Sequence, residues 1–222
     1  GFGEGSPKGS IHSYLVGQPT AVASLDMVRA TLRHLAEDPD LPDGDPSRVV
    51  VWGVSQGGHA CFITERLQPY YAPELDIVAV ASGIPGTDLV ALATYGAMNW
   101  SETSRGLAAV LVSMQAWYGL GDLTAALTDE APNHLASSAG TAMAEDCNPN
   151  GIFSGIDSVD GVYSEAFITA AEAGTLADFP DFGCFLRESS VDRMSAPRIT
   201  DTPFLVTLGE NDDLLPSALE TE

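Results

Sequence analysis

The most constraining feature of the sequence is a short apolar run that ends in a glycine-rich turn. Residues 48–54 read RVVVWGV, a β-branched, apolar stretch typical of a strand buried on both faces of a parallel sheet. The turn at residues 53–57, GVSQG, follows at once, and a helical pattern continues to about Gln68. A second buried strand is predicted at Leu75–Ser82. Strand, helix and strand at this spacing predict a right-handed β-α-β unit.

Ser55 lies at the centre of a G-x-S-x-G pattern between this strand and this helix. Such a context predicts a nucleophile elbow, in which a strained turn lifts the serine hydroxyl out of the carboxyl edge of the sheet. We expect side chains at Gly53 and Gly57 to collide with the strand and the helix. Gln56 opens the helix, where the dipole favours negative charge, and its backbone N–H is the predicted oxyanion donor. Ser55 is therefore the candidate nucleophile.

A second candidate residue follows the predicted strand Thr202–Gly209, whose proline lies at the start of the strand, where no ladder hydrogen bond is lost. An α/β-hydrolase places its acid on a loop after such a strand, in the chain order serine, acid, histidine. Asp212 fits that position and would orient the imidazole of the general base. Glu210 and Asp213 are rivals in the same loop.

The chain between these two regions has a different texture. Alanine-rich helical segments, broken by glycine, proline and asparagine clusters, run from Gly86 to about Ile199, and we interpret them as a helical insertion in an α/β fold. The predicted organisation is a core at residues 1–86, a helical cap at 87–200, and a core strand with the acid loop at 201–222. Helices are predicted at Thr20–Glu37 and, within the insertion, at Ser101–Tyr118, Ser137–Ala144 and Val162–Ala173.

Five motifs resemble those of the secretory lipase family, which includes fungal lipase-A-like enzymes and bacterial relatives. They are HSYLVG at residues 12–17, LDMVRA at 25–30, WGVSQGGHA at 52–60, YAPEL at 71–75 and GENDDLLP at 209–216. The resemblance implies an α/β-hydrolase core with a helical cap, serine esterase or lipase activity, and secretion. The motifs all lie in the core segments, so the resemblance leaves the choice of substrate open.

The general base is the part of the site that the sequence does not supply. The base should follow Asp212 in the chain, yet the four histidines are His12, His34, His59 and His134. His59 lies one helical turn beyond the nucleophile and is predicted to be a structural, hydrogen-bonded residue, which leaves His134 as the nearest substitute. Three strands are also fewer than a core of this size needs. We therefore expect further strands outside this chain and the base beyond its last residue.

The predicted activity is hydrolysis of apolar carboxylic esters through an acyl-enzyme, a reaction that needs neither a metal nor an organic cofactor. The expected partner is a small-molecule or lipid ester. A peptidase or acyltransferase on the same scaffold and a catalytically dead binding module are alternatives, because one fold hosts many functions. The stretch at 107–118, LAAVLVSMQAWY, either lines an acyl-binding passage or packs in the core of the cap.

Three cysteines fit no metal-binding or redox spacing. Cys61 lies in an apolar helical stretch and is predicted to pack as a small hydrophobe. Cys147 and Cys184 lie in polar, turn-rich segments, where a disulfide between them and pairing with a cysteine outside the chain are both open. The first ten residues are rich in glycine and do not have the pattern of a secretory signal peptide.

The charge of the chain is strongly acidic, since 31 acidic against 9 basic residues give a net charge of −22, and Lys8 is the only lysine. Such a surface repels nucleic acid and anionic membranes. No apolar run reaches the roughly 18 residues that a membrane span needs. Two explanations stay open: an ordinary acidic extracellular enzyme, or adaptation to high salt, in which screening removes self-repulsion.

The salt explanation makes a prediction about stability. We expect the melting temperature of the full-length protein to rise between low salt and molar salt, because screening weakens the repulsion among 31 acidic side chains. Thermal melts followed by circular dichroism across a sodium chloride series measure this. A flat or falling curve would leave the acidity as a feature of solubility alone.

Overall fold

A three-stranded parallel sheet forms the framework of the protein. Its strands are β1 at Val49–Val54, β2 at Ile77–Gly83 and β3 at Phe204–Thr207, in the spatial order β1-β2-β3. The three predicted strands and their parallel arrangement are confirmed, and Pro203 directly precedes β3. The fold is of the α/β class. This computed structural model describes residues 11–119, 122–129, 131, 156–212 and 215.

Two helices cover one face of the sheet. The first, α1, spans Gly17–Glu37, and α2 spans Gln56–Tyr71. The predicted apolar stripe of α1 faces inward, since Leu25 is fully buried and Val28 and Leu32 are partly buried against the same cluster. This cluster joins both helices to the sheet through buried side chains, which are Leu25, Cys61, Ala72, Leu75, Ile77 and Val80.

The opposite face of the sheet carries large exposed side chains. Trp52 is 75% exposed, Val50 60% and Leu205 66%, and Trp52 and Leu205 flank Ala81 in the strand register. The prediction that β1 is buried on both faces is therefore wrong for the described residues. The apolar side chains of β1 are suited to burial on both faces, but α1 and α2 pack on only one of its two faces.

The segment between β2 and β3 is here called the insertion. Its described residues form four α-helices, which are α3 at Leu89–Met98, α4 at Glu102–Tyr118, α5 at Glu165–Glu172 and α6 at Gly183–Glu188. Two of the predicted helices correspond to α4 and α5, with ends that differ by at most three residues. Helix α3 was not predicted as a separate helix. The predicted helix at 137–144 lies outside the described residues.

Local side chains explain where these helices begin. The Asp88 carboxylate accepts from the N–H groups of Val90 and Ala91 at the start of α3, and Ser101 and Ser104 form a capping box at α4. The insertion has its own apolar core, formed by fully buried side chains of several helices, among them Leu111, Met114, Phe167, Phe182 and Leu186.

Two buried serines hold the end of the insertion, one against the core and the other against the start of the insertion. The Ser189 hydroxyl accepts from the N–H of Gly17, 3.2 Å away, and the Ser190 hydroxyl accepts from the N–H of Leu89 at 2.9 Å. Arg193 adds an ion pair with Asp88 at 2.7 Å. Both ends of the insertion are consequently held together next to the core, which fixes α3 close to the end of β2.

Two of the three cysteines, Cys61 and Cys184, lie among the described residues. Cys61 is buried in the cluster between α2 and the sheet, as predicted, and burial raises the pKa of its thiol to about 11. Cys184 is exposed, while Cys147 lies outside the described residues, so pairing between them stays a prediction. Among the helices that the structure describes, none is both long and apolar enough to cross a membrane.

Candidate active site

Ser55 lies in a strained turn between β1 and α2. Its backbone has φ 56° and ψ −119°, a region that non-glycine residues rarely occupy and that is found where a function requires it. The turn is held by its own main chain: the Ser55 N–H donates to the Gly83 carbonyl at 2.8 Å, and the Ser55 carbonyl accepts from His59 at 3.0 Å. This geometry is that expected for a nucleophile elbow.

Glycine is required at two positions around this turn, of which Gly53 was predicted and Gly58 was not. A Cβ at Gly53 would lie 2.3 Å from the Gly57 carbonyl oxygen, a clash with main chain that would require the turn itself to shift. A Cβ at Gly57 would meet nothing within 4 Å, so the predicted collision there is wrong. Gly58 is the second constrained position, since its Cβ would approach the Gly83 oxygen to 2.8 Å. Glycine is needed at these two positions because α2 packs very closely against the ends of β1 and β2.

Asp212 lies at the same edge of the sheet as Ser55. Parallel strands end at one edge, and the Ile84 N–H donates to the Thr207 carbonyl across that edge. Asp212 is partly buried, and its Oδ1 accepts from the Leu215 N–H at 2.9 Å. The rival Glu210 is exposed, and the other rival, Asp213, lies outside the described residues. The half-buried position favours Asp212.

An apolar pocket opens beside the elbow. Ser55 and Gln56 contribute to its lining, and the pocket has about 550 Å³ of space that protein atoms do not fill, part of it open to solvent. Its apolar lining comes mainly from α3 and α4, including Leu89, Leu92, Leu107 and Val110. Leu215, three residues after Asp212, lines it too. The pocket therefore touches both the nucleophile turn and the acid loop.

Helix α4 reconciles the two interpretations of its apolar sequence. Leu107 and Val110 line the pocket, while Leu111 and Met114 are fully buried in the core of the insertion. Tyr118 stacks on Phe185 with ring centroids 4.3 Å apart. The stretch at 107–118 thus both lines the pocket and packs in the core.

Sequence reasoning missed several lining residues. Leu89 and Leu92 belong to α3, which was not predicted, and Tyr14 and Leu15 precede α1. The uniformly apolar start of α3, LVALA at residues 89–93, was the available signal for the helix. The HSYLVG motif was the signal for the loop before α1, although no pattern in neighbouring residues indicates that this loop lies near Ser55.

His59 is a structural residue, as predicted. The side chain is fully buried, and its Nε2 lies 2.7 Å from the Ser189 carbonyl oxygen. Because a carbonyl only accepts, Nε2 carries the proton, which leaves Nδ1 unprotonated and, among the described residues, without a hydrogen-bond partner. Burial lowers the pKa of His59 to about 4, and the bond to Ser189 opposes that shift only in part.

This burial makes the stability of the protein sensitive to acid. Unfolded His59 takes up a proton near pH 6.5 and the folded residue only near pH 4, so the free energy of unfolding should fall as the pH drops through that window. The expected loss is about 3 kcal/mol in total below pH 4. Urea unfolding of the wild type and His59→Gln across this range measures it, and curves that stay parallel would contradict the prediction.

The other two described histidines, His12 and His34, lie before α1 and near its end. His12 belongs to the loop before α1, and its Nε2 lies 2.5 Å from Nε2 of Gln56. His34 is exposed near the end of α1, and His134 lies outside the described residues. The hydrogen bond of His59 to the Ser189 carbonyl connects α2 to the insertion.

Comparison with known proteins agrees with these features. A sequence model of secretory lipases matches residues 4–218. The chain belongs to the secretory lipase family. No curated protein is similar enough in sequence to count as a match. The strained turn at Ser55, the loop of Asp212 and the pocket between them lie within the matched residues.

Solved structures show the fold of this secretory lipase family member. Candida antarctica lipase A in its closed state has 19% identity and a TM-score of 0.68, covering 94% of this chain and 45% of that chain. The rice cell wall degrading esterase LipA from Xanthomonas oryzae has 19% identity and a TM-score of 0.68, covering 95% and 55%. A Legionella pneumophila protein matches with a TM-score of 0.69, 16% identity and coverage of 95% and 54%. The fold is that of an α/β-hydrolase, and the chain spans about half the length of these structures.

Proposed function

We propose that the protein is a carboxylic-ester hydrolase that cleaves apolar acyl esters through an acyl-enzyme on Ser55. The observation that carries this proposal is the position of Ser55, which combines a strained strand-to-helix turn with the lining of an apolar pocket. Strain at a single non-glycine residue is retained where function requires it. An apolar pocket with a few polar groups is the usual form of a ligand site.

The chemistry follows from these groups. The Ser55 hydroxyl oxygen attacks the ester carbonyl carbon while a base takes its proton, and the carbonyl oxygen becomes an oxyanion. Collapse of this intermediate breaks the bond to the alcohol, which leaves with the proton. Water then attacks the acyl-enzyme and releases the acid. The apolar side chains of α3 and α4 are suited to hold the acyl chain, since Leu92 and Val110 would contact it by dispersion alone.

Gln56 and Asp212 have supporting roles in this proposal. Gln56 is the first residue of α2, and the first N–H groups of a helix have no partner within the helix, so the Gln56 N–H is available to an oxyanion. Asp212 would hold the imidazole of the general base and stabilise its positive charge. The family is described as secretory, which supports an extracellular location.

A fluorophosphonate probe tests the proposal, because it reacts with an activated serine by displacement of fluoride. We expect labelling of the full-length protein at Ser55, located by mass spectrometry of the digested protein. Ser82→Ala is the matched control: Ser82 is buried near the end of β2, and its hydroxyl has no partner among the described residues. This variant should label normally, whereas Ser55→Ala should not label.

The alternatives are separated by further outcomes of the same experiment. Absence of labelling, with a known serine hydrolase labelled alongside, would indicate a catalytically dead binding module. Turnover of p-nitrophenyl esters of short, medium and long acyl chains, set against the matching anilides, distinguishes an esterase from a peptidase. Acyl transfer to an added alcohol in preference to water would indicate an acyltransferase.

A further inference from the structure

The loop between residues 11 and 16 connects three parts of the protein. Its main chain is bound by α4, since the Ser113 hydroxyl donates to the His12 carbonyl at 2.9 Å and the Trp117 indole N–H donates to the Ile11 carbonyl at 3.0 Å. Its residues Tyr14 and Leu15 line the pocket. Its third contact joins the His12 ring to the side chain of Gln56.

The polarity of the His12 contact follows from its atoms. The amide nitrogen of Gln56 lies 2.5 Å from Nε2 of His12. An amide nitrogen only donates, so Nε2 of His12 accepts this hydrogen bond. The contact joins residues that are 44 positions apart, and it is one of the links between the loop and the first turn of α2.

Gln56 is a residue whose position matters for the reaction. Its peptide N–H is the proposed oxyanion donor, and the direction of that N–H depends on ψ of Ser55 and φ of Gln56. Ser55 is held through its own N–H and carbonyl. The Ser55 carbonyl, which belongs to the same peptide as the Gln56 N–H, accepts from the His59 N–H at 3.0 Å. The N–H of Gln56 has to stay available to the oxyanion, so the contact of the Gln56 side chain with His12 can add a second restraint, from outside the helix, without using that N–H.

We propose that His12 is a positioning residue for the oxyanion donor: through the side chain of Gln56 it holds the Ser55–Gln56 peptide in the orientation that the transition state needs. This inference rests on the proposed function. Leu15, three residues further along the loop, has a positive φ of 53°, which indicates that the loop is kept in a strained shape. Binding of the loop to α4 supplies the rigid support that a positioning residue requires.

The test compares kinetics of His12→Ala, Gln56→Ala and the double variant in the full-length protein, with p-nitrophenyl esters as substrates. Each single variant should lower kcat by about tenfold to a hundredfold, less than the loss of an oxyanion donor itself. KM should stay unchanged, because the oxyanion exists only in the transition state. The double variant should fall no further than Gln56→Ala, since both changes remove one contact.

Two matched variants complete the design. His12→Gln can present an oxygen to the Gln56 amide and should recover most of kcat. His34→Ala removes an exposed histidine of α1 and should change neither parameter. If His12→Ala melts at a markedly lower temperature, Gln56→Ala carries the test alone, because it removes the same contact from an only partly buried residue.

The outcomes that overturn the inference differ from those that overturn the function. An active wild type whose kcat is unaffected by Gln56→Ala, or single effects that simply add in the double variant, would show that His12 does not position the donor. A rise in KM at constant kcat would assign the loop to substrate binding instead and would equally overturn it. A wild type that neither turns over esters nor reacts with the fluorophosphonate probe would contradict the proposed function itself.

Discussion

Replacing Ser55 by alanine is expected to lower kcat for ester hydrolysis by about 10⁴-fold or more. The variant lacks the oxygen that attacks the carbonyl carbon, so the acyl-enzyme cannot form, and what remains is the contribution of binding and of the oxyanion donor. Stability should change little. Alanine adopts φ 56° at a cost similar to that of serine, and the turn is held by main-chain hydrogen bonds that the substitution leaves in place.

The measurement is steady-state kinetics on a p-nitrophenyl ester together with a thermal melt of each protein. Ser82→Ala is again the matched control, because it removes a buried hydroxyl from the adjacent strand and should retain full activity. Retained esterase activity in Ser55→Ala at unchanged melting temperature would remove Ser55 as the nucleophile. An equal loss of kcat in Ser55→Ala and Ser82→Ala would indicate that the substitutions disturb the local structure, and would not identify Ser55 as the nucleophile.

Asp212→Asn is expected to have the second-largest effect, a fall in kcat of about 10³-fold to 10⁴-fold. An amide cannot stabilise an imidazolium, and it favours the wrong tautomer of the base. The local structure should survive, since the Asn oxygen can still accept from the Leu215 N–H that Asp212 Oδ1 now binds at 2.9 Å. KM for an apolar ester should stay close to that of the wild type.

The neighbouring acidic residues provide the controls. Glu210→Gln and Asp213→Asn remove the same charge from the same loop, so they separate a specific role from a general change in the electrostatic field of an acidic chain. We expect both variants to keep activity within a few-fold of the wild type, which follows from the exposure of Glu210. If Asp213→Asn or Glu210→Gln abolishes turnover and Asp212→Asn does not, the acid has been assigned to the wrong residue.

The short-range features were predictable. Residues 49–71 form a strand, a strained turn and a helix, and each was read from neighbouring residues, because strand propensity, glycine and helical periodicity act over a few positions. The strand β3 and the loop of Asp212 after it were predictable for the same reason. Even here the packing was misjudged at Gly57. The predicted crowding at Gly53 is confirmed, but the second crowded position is Gly58. That crowding depends on how closely α2 approaches two strands.

The sequence by itself determined the strand, turn and helix around Ser55, the parallel sheet and the position of Asp212, because these depend on patterns within short stretches of chain. Only the tertiary structure decided which faces are covered and which distant groups meet. It left Trp52 exposed and brought His12 to Gln56 and His59 to Ser189, pairs that are 44 and 130 positions apart. The type of a residue, apolar or polar, determines whether its side chain can be buried and what it can bind. Its actual partner is set by the packing of whole elements, which no local pattern records.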